Sequence, residues 1–546
     1  MTESRWIRWP DLAFCAVFVL GLLLLFTQLK SPANLYDEGL VLTNAERIRA
    51  GGVPYRDFWT MYGPGYFYAL AGLFSLVRPT ILAARLFDTA LRFLLTLEVY
   101  LLVRGMTSRR VALIPYALVT YWLATIRFYS YPAFPATGAL LLAALCFMKY
   151  LWGNHRRWLF FSGMALGLAA LLRLDFGGYG AVGLGLAVAL FEWSKARATG
   201  SIRSGWLLRV LKTEALVAAG ALLVALPLYG YLGITSGFTT LYDDLIVFPA
   251  TVFRSVRHLP VPPPIPDFAQ LTGPQWEDWL RLYLPLTVYA MSAGVSLRRL
   301  LWRSTQASDR QTAEVTLMLA MTGTGLGLVV KATSRYHDLH ALPTTFFAVI
   351  LAVALAWRIP RRLWKSAPFK IAFAGLAFLF LTGPYVVHFA LLASRNYASP
   401  LACHTQLPRA GCVPVDPEQE QVASYLQAHT QPDEYVFIGN SRHDLIFIND
   451  LLLYFLADRY SPTKYMELHP GLATTLPVQQ AIVNDLAEKD VQWVVLMRSW
   501  ESNEPNASSI SSGVTFLDDY IQACYEPTVT FGKYQVWVRR PQGQSE

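Results

Sequence analysis

Long apolar runs separated by short charged stretches dominate the first 392 residues. A helix needs roughly 20 mainly apolar residues to cross a bilayer, and about eleven stretches meet that pattern. They fall at 11–29, 80–103, 111–126, 136–152, 157–172, 176–192, 213–233, 281–297, 313–331, 339–357 and 370–392. The first run is longer than a secretory h-region, and no small-x-small site precedes Lys30, so it reads as a retained span. Within the loop 30–79, Leu42, Ala45 and Ile48 recur at helical spacing, which predicts a short helix lying on the membrane surface. From Ala393 the texture changes. Glu434–Gly439 and Val491–Leu496 read as buried strands, 478–488 has helical spacing, and Lys533–Val538 alternates like a final strand. The expected fold is mainly α: a polytopic transmembrane helix bundle over 1–392, followed by a C-terminal α/β domain over 393–546.

Composition agrees with a membrane chain. Of 546 residues 54% are hydrophobic and only 15% charged, against about 25% charged in soluble domains. That excludes disorder, a secreted disulfide scaffold and a purely cytosolic enzyme. The net charge of +9 is unevenly spread, with 36 Lys/Arg against 19 Asp/Glu up to Leu392 and 10 against 18 afterwards. The cations sit in short blocks between apolar runs, as membrane loops do, so no nucleic-acid partner is expected. Alternate loops are the rich ones: Arg5/Arg8, Arg104/Arg109/Arg110, Lys149/Arg156/Arg157, Lys195–Lys212, Arg298–Arg310 and Arg358–Lys370. By the positive-inside rule the N-terminus is cytoplasmic. With an odd number of spans, the tail is then extracytoplasmic. Cys403 and Cys412 flank a short segment at the start of that tail, and a disulfide and two free thiols are equally open readings.

Charges near a membrane are costly and mark function. On this topology Asp37, Glu38, Asp57, Arg173, Asp175, Asp243, Asp244, Arg335, His337, Asp338 and His340 all come to the external face from separate segments. An outward-facing polar cavity accounts for that better than coincidence. Plainer readings stand beside each. Asp57 next to Arg56 is equally a surface pair, and Arg173-Leu174-Asp175 reads somewhat better as a structural ion pair inside the bundle than as a binding site. Asp243-Asp244 has a carboxylate pair suited to a hard cation but lacks further ligands. His337 and His340 lack a third zinc ligand, which favours phosphate contact by Arg335 and a His. No cofactor is predicted; a divalent metal is possible but not indicated.

Four sequence elements carry a resemblance: Asp37-Glu38 after the first span, Gly51-Gly52-Val53-Pro54-Tyr55, Gly63-Pro64-Gly65-Tyr66, and Ala84-Arg85-Leu86 entering the second span. Over roughly 1–110 the chain resembles the GT-C membrane glycosyltransferases, in the family 39-like branch of protein O-mannosyltransferases and lipid A aminoarabinose transferases. The rest resembles them in topology only, and the tail is unlike the domain of either relative. The resemblance implies Asp37 as catalytic base. Glu38 beside it is a second catalytic candidate, or it orients Asp37 or a neighbouring Arg, and Arg85 is a candidate for the substrate site. The resemblance also implies a polyprenyl-phosphate-linked sugar donor and a lipid, polysaccharide or protein acceptor. The chemistry is compatible: a lipid phosphate leaves readily, so one carboxylate taking the acceptor hydroxyl's proton suffices, unlike the two needed for glycoside hydrolysis. Direct attack at C1 predicts inversion. The leaving phosphate needs cations, for which Arg173, Arg254, Arg257, Lys331, Arg335, His337 and His340 are the external candidates. The alternative is a transporter or flippase of lipid-linked sugars, which would place charges near the midplane in broken, repeated halves. A non-catalytic scaffold is a third reading.

Overall fold

The computed structural model describes residues 9–126, 129–198, 205–267, 269–302, 309–360, 362–368, 370–371, 403, 405–498 and 504–541. The N-terminal part runs through helices α1 (Trp9–Phe26), α2 (Asp37–Arg49), α3 (Gly65–Leu76), α4 (Ile81–Met106), α5 (Leu113–Thr125), α6 (Ala133–Gly153) and α7 (Arg157–Leu172). It continues through α8 (Leu174–Ala198), α9 (Trp206–Ser236), α10 (Phe238–Tyr242), two π-helical turns and α11 (Arg254–Arg257), then α12 (Gly273–Leu301), α13 (Asp309–Ser334) and α14 (Asp338–Trp357). Ten of the expected apolar runs coincide with α1, α4–α9 and α12–α14. The run 370–392 lies outside the described residues. Helices α6, α8, α9, α13 and α14 are each long and apolar enough to cross a membrane, and α1, α3, α5 and α7 are shorter apolar helices. The fold is a polytopic, mainly α membrane bundle bearing a small C-terminal sheet.

The stretch between α1 and α4 departs from the sequence reading in two ways. Residues 65–76 form a helix rather than loop, because Tyr66, Phe67, Leu70, Ala71 and Phe74 make one buried helical face. And α2 does not lie at a surface: Glu38 through Glu46 are all buried. The cover comes from the C-terminal part. Leu452 donates its backbone N–H to Leu35 O (2.9 Å), and Thr43 Oγ1 donates to Leu451 O (2.9 Å). A Cβ on Gly39 would lie 2.2 Å from the Leu452 nitrogen, so only glycine admits this approach.

The C-terminal part contains α15 (Pro417–His429), α16 (Leu452–Ala457), α17 (Leu476–Glu488) and α18 (Phe516–Cys524). Its strands are β1 (Val436–Asn440), β2 (Trp493–Met497), β3 (Tyr525–Phe531) and β4 (Tyr534–Arg539), in the order β1-β2-β4-β3. β1 and β2 are parallel and β4 is antiparallel to both its neighbours. The expected strands at 434–439, 491–496 and 533–538 and the helix at 478–488 are all present. β3 escapes the alternation test because its residues between Tyr525 and Phe531 are mostly exposed. Cys403 and Cys412 are joined as a disulfide.

Candidate active site

The chain enters α2 through an Asx-type cap. Asn34 Oδ1 accepts from the backbone N–H groups of Tyr36 (3.0 Å) and Asp37 (2.8 Å), and Glu38 Oε2 accepts from Asn34 N–H (3.1 Å). Two acids in the first turn also suit the positive end of the helix dipole. Glu38 then gives both oxygens to Arg85 of α4, at 2.7 and 2.8 Å, with both side chains fully buried. Arg85 reaches on to the carbonyls of Leu29 (2.7 Å) and Ser31 (2.6 Å), fixing the end of the first span against α4. The two sequence-predicted residues Glu38 and Arg85 therefore satisfy one another behind the site and set its frame.

Asp37 faces the other way. It lines a small cleft with Leu40, Val41, Tyr62, Ser130, Tyr131 and Pro132. Among the described residues no side-chain donor is bonded to its carboxylate. Burial raises its pKa from 3.8 to about 6, against the opposing pull of Arg257, Arg335 and His337. Tyr62 is delivered by the Gly63-Pro64-Gly65 turn, whose two glycines rest on the end of α7; a Cβ on Gly63 would lie 2.5 Å from Leu171 O.

The cations come from three segments. Arg335, between α13 and α14, is held in a fork by Glu504 (Nη1–Oε2 2.9 Å), which also lies 3.5 Å from Arg257. Arg335 Nη1 also donates to Arg257 O (2.9 Å), so the two guanidinium-bearing segments are tied together. Glu504 is oriented in turn by Asn506 Nδ2 (3.0 Å). Burial would raise Glu504, but Arg335, Asn506 and Arg257 outweigh it and hold its pKa below the ordinary value. His337 pairs with Asp338. His340 Nδ1 lies 2.6 Å from Arg335 O, and its ring stacks over Tyr131 at 6.4 Å. At the α7–α8 junction Arg173 forks onto Asp175 (3.0 and 2.7 Å) and sits 5.8 Å over the Tyr62 ring.

Two residues that the sequence did not single out belong here. Glu467 is fully buried and accepts from Tyr36 Oη (2.9 Å), while its other oxygen lacks a hydrogen-bond partner among the described residues. Burial and the nearby Asp37 charge push its pKa up to about 8, despite that bond. His469 is buried beside Trp59, Phe248 and Phe253 and hydrogen-bonds Pro470 O through Nδ1 (2.7 Å). Burial, aided by Arg257, depresses it to about 3, so it is neutral. The available signal was an acid and a histidine inside the run Tyr465-Met-Glu-Leu-His469.

Other predicted residues lie elsewhere. Asp57 pairs with Arg56 (2.7 Å), accepts from Val53 N–H (2.7 Å), and lines a separate cleft of about 690 Å³ with Arg47, Lys464 and Lys489. Asp243 is exposed, whereas Asp244 accepts from Trp59 Nε1 (2.9 Å), so the adjacent acids do not act as a pair. Arg254 is exposed. No group of three or more His, Cys, Asp or Glu side chains converges among the described residues in a way suited to a metal.

Bundles of this kind occur among solved structures. The chain is similar in structure to ArnT from Cupriavidus metallidurans bound to undecaprenyl phosphate (TM-score 0.56, 14% identity, covering 97% of this chain and 99% of that one). It is also similar to the oligosaccharyltransferase AglB from Archaeoglobus fulgidus, in complex with an inhibitory peptide and a dolichol-phosphate (TM-score 0.55, 15% identity, 98% and 75%). The fold is that of the GT-C membrane glycosyltransferases. The match to ArnT extends over the C-terminal part as well as the bundle. No protein-family profile and no curated protein sequence matches the chain.

Proposed function

We propose that this protein is a membrane glycosyltransferase that moves a sugar from a polyprenyl-phosphate donor to an acceptor hydroxyl, with Asp37 as general base. The observation that carries this reading is a carboxylate that, among the described residues, has no side-chain donor, in a small cleft lined by Tyr62, Ser130 and Tyr131 and under the electrostatic pull of Arg257, Arg335 and His337. It is supported by the GT-C fold and by the lipid phosphates bound to two proteins that share it.

Asp37 takes the acceptor O–H proton as that oxygen attacks C1 of the sugar. The C1–O bond to phosphate breaks with its electron pair on the phosphate, and a single displacement inverts C1. The leaving phosphate gains a negative charge, which the two arginines and His337 offset. A base pKa near 6 lets Asp37 be ionised at neutral pH yet basic enough to accept a proton. Glu38 and Arg85 act as positioning residues through the entry to α2. Arg173, Asp175 and His340 line the donor side, and the region 393–546 is a docked domain on the outer face, whose disulfide suits an oxidising compartment. The N-terminus is cytoplasmic on this reading.

The test is to present purified protein in nanodiscs with a panel of radiolabelled polyprenyl-phosphate sugars. Label passing to an acceptor, or slowly to water, supports transfer. Donor binding without turnover, together with lipid movement in liposomes, supports the flippase instead.

A further inference from the structure

At the far end of the bundle from Asp37 lies a third, larger cleft, of about 950 Å³. It is formed where α6 and α8 end and α7 and α9 begin, and is lined by Arg156, Arg157, Lys195, Arg209, Lys212 and Glu192. The separation follows from the helices. α7 runs 16 residues from Arg157 to Leu172, just before Arg173, which is about 24 Å at 1.5 Å per residue. That distance is most of a bilayer's hydrocarbon core, so the two clefts open on opposite faces.

Five cations face one carboxylate there. Glu192 is nearly buried and is engaged with Arg209 at 3.1 Å, leaving the cleft strongly positive. Tyr150 and Thr213 add hydroxyl groups to the wall. The N-terminus of α7 adds its partial positive charge.

What covers the cleft is indicated by α9. Of the candidate spans α9 is the least covered by protein, with 17% of its apolar window buried. Leu207, Leu208 and Leu211 stand exposed within a turn of Arg209, and Leu222, Leu223 and Leu226 continue the exposed surface along the helix. A ligand with a phosphate in the cleft and hydrocarbon along α9 satisfies both surfaces, whereas a soluble anion satisfies only the first. Trp158, with Lys149 over its ring at 4.4 Å, marks the interfacial level. We propose that this cleft binds the phosphate of an anionic phospholipid, whose chains lie against α9. The site rests on charge and position and is independent of any role of Asp37.

Thermal melting of the purified full-length protein in neutral detergent tests this. Phosphatidylglycerol, phosphatidylcholine and inorganic phosphate are titrated separately, against wild type and a variant carrying Arg156→Gln and Lys212→Gln. Both positions are exposed, and circular dichroism verifies folding; Lys195→Gln serves as a second variant. The expected result is a saturable rise in Tm with phosphatidylglycerol alone, with apparent affinity at least tenfold weaker in the variants. Equal stabilisation by phosphatidylcholine, equal affinity in wild type and variants, or a full effect from inorganic phosphate would each overturn the proposal.

Discussion

The pKa of Asp37 makes the sharpest demand on the chemistry. Burial lifts it from 3.8 to about 6, so the ionised fraction is about 90% at pH 7 and about 10% at pH 5. Log kcat/KM for glycosyl transfer should therefore fall with unit slope below pH 6, losing about tenfold by pH 5. An Asp at its ordinary 3.8 would stay ionised there and give a flat profile. The three cations each pull the value down, so Arg335→Gln should move the acid limb to higher pH as well as lower the rate. The same shift has a stability consequence. A carboxyl with a raised folded-state pKa contributes stability below its unfolded value, and that contribution is lost as pH rises from about 4 to about 6. Asp37→Asn removes the penalty and should raise stability at pH 7 and above, by up to about 3 kcal/mol for a shift of this size. The assays are initial rates across pH 4.5–8 with a fixed donor, and melting of both proteins at pH 4.5 and 7.5. A flat profile between pH 5 and 7, or a limb moving to lower pH in Arg335→Gln, would refute the electrostatic reasoning.

Three further outcomes follow from named contacts. Glu38→Ala leaves Arg85 charged and fully buried, and should cost about 3–5 kcal/mol, read as a lower Tm and yield, whereas Glu38→Gln should cost less. Glu467, pushed up to about 8, is held protonated at neutral pH, so stability should fall as pH rises from about 4.5 to 8. Glu467→Gln should flatten that decline, as melting curves at pH 6 and 9 would show. On the proposed mechanism Arg335→Ala removes a cation that offsets the charge of the leaving phosphate, and should cost about 10²–10³ in kcat. Glu504→Ala frees Arg335 and Arg257 but leaves both cations in place, and should cost far less, which steady-state kinetics on the two variants separates.

The bundle was legible because a bilayer imposes length and apolarity on each span, and those constraints can be read locally. The tail's strands β1, β2 and β4 were legible because burial leaves them apolar or alternating, while β3, paired on one side and exposed, carries no such signal. The site was legible in part. Asp37, Arg335, His337 and Arg173 stood out as charges at one face; in the structure Arg335 and His337 act electrostatically on Asp37, and Arg173 sits over Tyr62 of the Asp37 cleft. Asp57 and Asp243 carried the same signal yet sit elsewhere, because topology assigns a face but not a position on it. Glu38 illustrates the opposite limit: an acid beside the base looked like a second catalytic group, and only the path of Arg85 across 47 residues of sequence shows its oxygens already used. Glu467 and Glu504 lie more than 400 residues from Asp37 in sequence. The fold of the C-terminal part over α2, through Gly39 and Leu452, is what brings Glu467 against Tyr36 and close to Asp37.

The most direct measurement compares wild type and Asp37→Asn, shown equally folded, for transfer of radiolabel from a polyprenyl-phosphate sugar that wild type accepts. Loss of transfer in Asp37→Asn with donor binding retained is the result predicted here. Transfer by Asp37→Asn at the wild-type rate would contradict Asp37 as the base.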